Sequence, residues 1–338
     1  MKKIHVESKR PQSVREICPL NPLGINGGST RKGKLMNTRR DFIKFGAGAG
    51  AALAFGGGCR LLDGGCCDAD AVVPPYEDTV RDRLWMWGHG GTAFDAPRWT
   101  YQIPAGTPIE MNEACKYMGI PNVCVCRYQG LPKEEDCAAY LKTFKDIKRI
   151  AFSIVDGAGS TWRKKYELAK RLRKDNPNLG TVWLDDYFTP QTLSRPEDLP
   201  AFRRMLDEDG MKLACVLYPD QEGVKPEFKP TLDLCDQVSV WFWYAKNIPN
   251  MKEDIRKVRD LVGSEKAILM GIYMWDFGGN RPVPDDLMLR QLETGRELMM
   301  EEQLSGLLFH PTSIVNRKLS SIELARQWIA KNGACCLR

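Results

Sequence analysis

Short apolar runs alternate with longer amphipathic segments over most of the chain after residue 83. Each run is rich in Val, Ile, Leu, Cys or aromatic residues, a composition that is typical of strands buried on both faces. Eight runs fit this description and are predicted as strands, at 84–88, 122–127, 149–155, 180–184, 212–217, 237–242, 267–273 and 306–309.

Helical patterns follow most of the predicted strands. Apolar positions that recur every three to four residues predict helices at 109–118, 134–146, 164–174, 199–209, 251–262, 285–302 and 321–332. Glycine marks several predicted helix ends, at Gly119, Gly210, Gly263 and Gly333. Ser321 is the predicted cap of the last helix, whereas only 232–235 is available for a helix after the fifth strand.

The regular alternation of strand and helix decides the fold class. The count, order and combined length of the eight units match an α/β protein with a closed (β/α)₈ TIM barrel. An open doubly wound sheet is the alternative, but its nucleotide-binding versions carry a glycine loop after the first strand. We therefore predict a barrel at 83–332 and a C-terminal tail at 333–338.

The charge of the chain is unevenly distributed. The formal net charge is +6, but residues 1–58 hold 11 Lys and Arg against 3 Asp and Glu. The remaining residues hold 38 basic and 40 acidic side chains. Because no Lys/Arg cluster with interleaved aromatic residues remains there, we expect no nucleic-acid partner.

The basic N-terminal region contains a seven-residue motif at 38–44, Thr-Arg-Arg-Asp-Phe-Ile-Lys, followed by a weakly apolar stretch rich in Gly and Ala at 45–58. Six of its seven positions fit the twin-arginine secretion signal, which it resembles, and Ile43 replaces a Leu. The resemblance implies export of the folded protein through the twin-arginine translocon, to the periplasm or beyond. We predict a leader and signal peptide at 1–58 and a linker at 59–82.

Cys59 directly follows the apolar stretch. A lipoprotein signal needs a small residue before its cysteine, which Gly58 provides, but it usually has Leu where this chain has Gly56. Lipidation of Cys59, with a membrane anchor, and ordinary cleavage nearby are both left open.

Adjacent cysteines flank the predicted barrel, at Cys66-Cys67 and Cys335-Cys336. A closed barrel pairs its first strand with its last, so its two ends need not lie far apart. We expect that one cysteine of the first pair can reach one of the second after export. The cysteines within the domain are predicted to be small core residues.

Polar or aromatic residues follow every predicted strand, where the active sites of such barrels form. Carboxylates bind sugar hydroxyls and aromatic rings pack on sugar C–H faces, so we predict a carbohydrate substrate and no cofactor. The predicted substrate-binding residues are His89, Arg127, Asp156, Tyr218, Trp243, Tyr273, Trp275 and His310.

Two of these strand ends, 183–188 and 273–278, read Trp-Leu-Asp-Asp-Tyr-Phe and Tyr-Met-Trp-Asp-Phe-Gly. They resemble the ends of strands four and seven in (β/α)₈ glycosidases, which usually carry Glu rather than Asp there. The resemblance implies glycosidic-bond hydrolysis by two carboxyl groups, namely Asp276 and one of Asp185 or Asp186. The other Asp of that pair is predicted to be structural.

Two further functions are compatible with the sequence. A metal-dependent sugar isomerase or hydrolase would use His89, His310 and Asp276 as ligands, because strands one, seven and eight are neighbours in a closed barrel. A barrel that binds glycans without cleaving them is the second, because the fold alone does not establish catalysis.

Overall fold

Eight parallel strands close into one barrel in the computed structural model of the protein, in the order of the chain, with the last strand beside the first. The structure describes residues 78–89, 103–104, 107, 109–127, 130–155, 161–188 and 196–337. The strands are β1 Leu84–Gly88, β2 Asn122–Val125, β3 Arg149–Val155, β4 Leu179–Leu184, β5 Lys212–Leu217, β6 Gln237–Val240, β7 Ala267–Tyr273 and β8 Gly306–His310. The predicted TIM barrel is confirmed.

The strand bounds follow the apolar runs closely. The predicted bounds of β1, β3, β5 and β7 are those observed, while β2 and β6 end two residues earlier than predicted. Backbone pairing still continues past these two ends, because the Cys126 amide donates to Gly88 and the Trp241 amide donates to Leu217. The strand-end residues therefore keep the alignment on which a site at the barrel mouth depends.

Helices pack outside the barrel, joined by a few short 3-10 turns. They are α1 Met111–Met118, α2 Cys137–Leu141, α3 Trp162–Asp175, α4 Leu199–Glu208, α5 Pro219–Glu222, α6 Lys229–Asp233, α7 Met251–Val262, α8 Asp285–Met300 and α9 Ser320–Asn332. Within the described ranges, none combines the length and apolar character needed to cross a bilayer.

Two helix predictions are corrected. The helix predicted at 134–146 is a 3-10 turn followed by the five-residue α2. It ends early because the Thr143 hydroxyl donates to the Tyr140 carbonyl at 2.7 Å, which competes with continued helical pairing. Ser321 does not cap the last helix, since α9 begins at Ser320 and Ser321 is buried.

Tryptophan side chains fill the barrel interior. The Trp87 ring meets those of Trp183 and Trp241 edge-on, at centroid distances of 5.3 and 5.8 Å. Gly271 on β7 makes room for this cluster, because a Cβ there would overlap the Trp241 indole. The interior is therefore packed with side chains and does not form a pore.

The chain enters and leaves the barrel side by side. Thr79 and Cys336 form an isolated antiparallel bridge, and the Leu337 amide donates to the Asp78 carbonyl at 3.0 Å. Cys335 and Cys336 are exposed thiols. Cys66, Cys67 and Cys59 lie outside the described residues, so the pairing and the lipid anchor stay predictions.

Candidate active site

The turn after β4 carries two adjacent carboxyl groups into the barrel mouth. The Asp185 amide donates to the Val155 carbonyl at 3.0 Å, which extends the β3–β4 pairing. Asp186 then adopts a left-handed conformation with φ 50°, which aspartate tolerates better than most residues. The chain reverses here, and the two carboxyl groups diverge.

Asp186 is exposed at the mouth, yet its carboxylate is held from one side. The Tyr218 hydroxyl, at the end of β5, donates to its Oδ1 at 3.0 Å. The surrounding barrel wall raises the pKa of Asp186, and this hydrogen bond opposes the shift. Burial raises the pKa values of Tyr218 and Tyr273 well above their ordinary range, so both phenols remain neutral hydrogen-bond donors.

Asp185 turns toward β2 instead. The Cys126 thiol lies 3.7 Å from its Oδ2 and makes a weak S–H···O contact. The two adjacent carboxyl groups therefore meet different donors, a thiol for Asp185 and a phenol for Asp186. Different surroundings are what allow two neighbouring acids to take different protonation states.

The carboxylate of Asp276 is bound by backbone amides and a side chain of the protein. Its Oδ1 accepts the amides of Ala245 and Gly279, each at 3.0 Å, and its Oδ2 lies 3.3 Å from Nε of Arg281. Only 3% of the residue is exposed. Through these contacts Asp276 holds the loops after β6 and β7. None of the contacts supports the predicted catalytic role.

Asp220 holds the same β6 loop from its other side. Its Oδ2 accepts the Tyr244 amide at 3.2 Å and the Asn247 side-chain amide at 3.0 Å. The loop that begins at Trp243 is therefore fixed between carboxylates from the two flanking strand ends.

Glu222, at the end of α5, was not among the predicted site residues. Both of its Oε atoms are shielded from solvent and have no hydrogen-bond partner among the described residues. Burial, with smaller contributions from Asp186 and Asp220, raises its pKa to about 7, and Lys225 opposes the shift. The backbone of Tyr218 also opposes the rise in the pKa of Glu222, although no hydrogen bond joins it to the carboxyl group.

His89 and His310 approach each other as predicted, with ring centroids 6.1 Å apart. Nδ1 of His89 lies 3.0 Å from the Cys126 carbonyl, and Nδ1 of His310 lies 3.3 Å from the Trp87 carbonyl. Because a carbonyl only accepts, each Nδ1 carries the proton and each Nε2 the lone pair. Burial lowers the pKa to about 4 for His89 and about 3 for His310, so both rings are neutral near pH 7.

The predicted three-ligand metal set does not assemble. Asp276 is bound to backbone amides and to Arg281, as described above. Among the residues that the structure describes, no three His, Cys, Asp or Glu side chains are grouped so that they could hold a metal ion.

Aromatic rings form one wall of the mouth. Trp243 stacks on Phe277 at 5.2 Å with an interplanar angle of 27°, and its ring lies 6.5 Å from that of Tyr218. Tyr273 packs edge-on against Phe277 at 5.0 Å and against His310 at 5.6 Å. Trp243 is half-buried, so part of this wall is accessible to solvent.

The remaining predicted site residues do not line the mouth in the same way. Trp275 is only 2% exposed. Arg127 is also buried, and its guanidinium donates to the carbonyls of Pro132 and Gly130 at 2.9 and 3.2 Å, which holds the loop after β2. Asp156 lies outside the described residues. The structure thus brings together Asp185, Asp186, Tyr218, Trp243, Tyr273 and the two histidines.

Comparison with known proteins confirms the predicted export signal. Residues 36–56 match the family model of the twin-arginine translocation pathway signal sequence. The chain therefore carries a signal for export across the membrane by the twin-arginine pathway. No curated protein sequence matches the chain.

The chain is similar to solved structures at low sequence identity. A candidate alpha-L-fucosidase from Bacteroides thetaiotaomicron is 9% identical with a TM-score of 0.50, over 78% of this chain and 99% of its own. The GH18 chitinase ChiB from Flavobacterium johnsoniae is 14% identical with a TM-score of 0.46, over 76% and 98%. The spore cortex-lytic enzyme SleL from Bacillus cereus is 12% identical with a TM-score of 0.45, over 75% of each chain. At these identities the likeness concerns the fold.

Proposed function

We propose that the protein is an exported carbohydrate hydrolase that cleaves glycosidic bonds at the carboxyl groups of Asp185 and Asp186. The observation that carries the proposal is the Asp186 carboxylate, which is exposed at the barrel mouth and held by the Tyr218 hydroxyl at 3.0 Å. Active sites of (β/α)₈ enzymes form at this end of the barrel.

The chemistry of hydrolysis fits a carboxylate held in this manner. Glycosidic cleavage needs an ionised carboxylate that stabilises the positively charged sugar ring or activates the attacking water. Burial raises the pKa of Asp186, and the Tyr218 hydrogen bond opposes this shift. We assign the role to Asp186 because this bond holds its carboxyl group in a fixed orientation. Asp185 lies beside it, in contact with the Cys126 thiol, and is the second carboxyl of the strand.

The surroundings fit a neutral sugar. Trp243, which is half-buried, offers a ring surface against which sugar C–H groups pack. His310 is neutral and only partly buried, and a lone pair on its Nε2 accepts a hydrogen bond from a sugar hydroxyl. The likeness to a candidate alpha-L-fucosidase is in keeping with this substrate class, although it rests on the fold alone.

The test is the hydrolysis of a panel of oligosaccharides by the wild type and by Asp185→Asn, Asp186→Asn and Asp276→Asn. We expect Asp186→Asn to lower the rate by about 100-fold or more, and Asp276→Asn to act mainly through stability. If the wild type binds sugars without releasing any product, the barrel is a glycan-binding protein and the proposal fails. If all three variants keep near-wild-type rates, the site lies elsewhere.

A further inference from the structure

Phe277 lies against two rings of the barrel mouth that come from different strand ends. Its ring stacks on that of Trp243 at a centroid distance of 5.2 Å with an interplanar angle of 27°, and it lies 5.5 Å from the His310 ring at an angle of 32°. Trp243 follows β6, Phe277 follows β7, and His310 is the last residue of β8. Because these three strands are neighbours in the barrel, one side chain joins the aromatic groups of three adjacent strand ends.

Tyr273, the last residue of β7, packs against the same three rings. Its ring meets those of Phe277, His310 and Trp243 edge-on, at 5.0, 5.6 and 6.0 Å and with interplanar angles between 68° and 90°. Offset-stacked and edge-on contacts are the arrangements that aromatic pairs prefer. The four rings therefore form one packed group, which we call the mouth cluster.

The backbone after β7 is bonded to the same two neighbours. The Gly278 amide donates to the Trp243 carbonyl at 3.1 Å, and the Met274 amide donates to the His310 carbonyl at 2.7 Å. Gly278 permits the close approach, because a Cβ there would lie 2.1 Å from the Tyr244 ring. The segment after β7 therefore holds its two neighbours by their main chains as well as by their rings.

The members of the mouth cluster differ in exposure. Trp243 and His310 are half-buried, whereas Tyr273 and Phe277 are buried, and only 4% of Phe277 is exposed. Phe277 is therefore too buried to form a binding surface of its own. It can act on a ligand only through the two rings against which it packs.

We propose that Phe277 is a positioning residue that fixes Trp243 and His310 relative to each other for one sugar ring, and this rests on the proposed function. A sugar ring is rigid, so it meets an indole surface and an imidazole lone pair together only when the two are correctly spaced. Groups that are ordered before binding do not have to be ordered by the ligand. Phe277 thus contributes to sugar affinity and not to the chemical step, because Tyr218 holds the Asp186 carboxylate separately.

Replacing Phe277 by Leu removes the ring and keeps a buried apolar side chain. On an oligosaccharide that the wild type cleaves, KM should rise by about tenfold, the size of a lost aromatic pair, while kcat stays within about twofold. The dissociation constant of the sugar, measured by calorimetry, should rise by the same factor. If the Leu variant does not fold, Phe277→Met takes its place, because methionine adapts its shape to an irregular gap.

The matched control is Phe202→Leu. Phe202 is also buried and also packs against two rings, those of Trp162 at 4.9 Å and Tyr166 at 5.1 Å, but on helices outside the barrel. This variant should lose a similar amount of stability in urea and keep the wild-type KM. An equal rise in KM in both variants would show that the effect comes from stability, and would overturn the proposal.

A double variant separates action through Trp243 from an independent effect. Because residues in contact are not additive, the rise in KM of Trp243→Ala with Phe277→Leu should be smaller than the product of the two single rises. Rises that multiply, or an unchanged KM in Phe277→Leu, would overturn the positioning role and leave the proposed hydrolysis intact. If the wild type binds a glycan without cleaving it, the hydrolysis fails, and the calorimetric dissociation constant of Phe277→Leu still decides the role of Phe277. If the wild type binds no sugar, both proposals fail.

Discussion

The Tyr218 hydroxyl donates to Oδ1 of Asp186 across 3.0 Å and so joins the end of β5 to the turn after β4. Tyr218 is buried, whereas Asp186 is exposed. The phenol therefore fixes the carboxylate from the protein side. This contact places a carboxylate of defined orientation at the mouth of the barrel.

Replacing Tyr218 by Phe should change the pH dependence of catalysis. The hydrogen bond lowers the pKa of Asp186, so its loss should raise that pKa and shift the acidic limb of kcat/KM to higher pH. The rate on the acidic side should fall by about tenfold, since a hydrogen bond to a charged group contributes about 1.5 kcal/mol.

The matched control is Tyr117→Phe, because Tyr117 also donates to a carboxylate, that of Glu323, but on the outside of the barrel. This variant should keep the wild-type profile. An unchanged acidic limb in Tyr218→Phe would show that Asp186 does not set the profile.

Measurements of the free energy of unfolding distinguish a structural role of Asp276, which holds the loops after β6 and β7, from a catalytic role. Asp276→Ala should lower the free energy of unfolding by about 2–4 kcal/mol, because the buried amides of Ala245 and Gly279 lose their acceptor. Asp276→Asn keeps one acceptor oxygen and should cost less. Urea unfolding measures both, with the exposed Asp260→Asn as control. Full stability of Asp276→Asn together with complete loss of activity would instead assign Asp276 to catalysis.

The packing of the barrel interior predicts the effect of adding one methyl group. Gly271→Ala would drive a Cβ into the Trp241 indole and should lower the free energy of unfolding by about 1–3 kcal/mol, the usual cost of overpacking. Gly180→Ala is the matched control, since it also lies in a barrel strand but a Cβ there meets nothing within 4 Å. Equal stability of the two variants in urea would contradict the described packing.

The fold was predictable because its signals are local. Residues of the apolar runs contact their neighbours on both faces, so composition alone reveals the strands. The helix predicted at 134–146 is wrong because the Thr143 side chain contacts the backbone and ends the helix early. Apolar periodicity does not record such a contact. Ser321 likewise does not cap the last helix, because α9 begins one residue earlier, at Ser320.

The candidate site was only partly predictable. Position after a strand indicates which residues reach the barrel mouth, and it located Asp186 and Tyr218 correctly at adjacent strand ends. It does not show which carboxylates bind backbone amides of a neighbouring loop, as Asp276 and Asp220 do. Glu222 was missed because a whole short helix separates it from β5.

The export signal predicts a simple cellular result. Replacing Arg39 and Arg40 together by Lys should retain the precursor inside the cell, because the paired arginines lie in the segment that matches the twin-arginine signal. Fractionation followed by immunoblotting measures the distribution. Replacing Arg15 and Arg31, which lie outside the matched segment, should leave export unchanged. Normal export of the first double variant would contradict the assignment of the pathway.

A crystal structure of the Asp186→Asn variant soaked with mixed oligosaccharides tests whether Asp186 belongs to a sugar-binding site. The variant should bind sugar without turning it over. We expect sugar density in the barrel mouth, with a hydroxyl or the glycosidic oxygen near residue 186 and a sugar face against Trp243. Sugar density only at other places on the protein, or an empty mouth at saturating sugar, would contradict it.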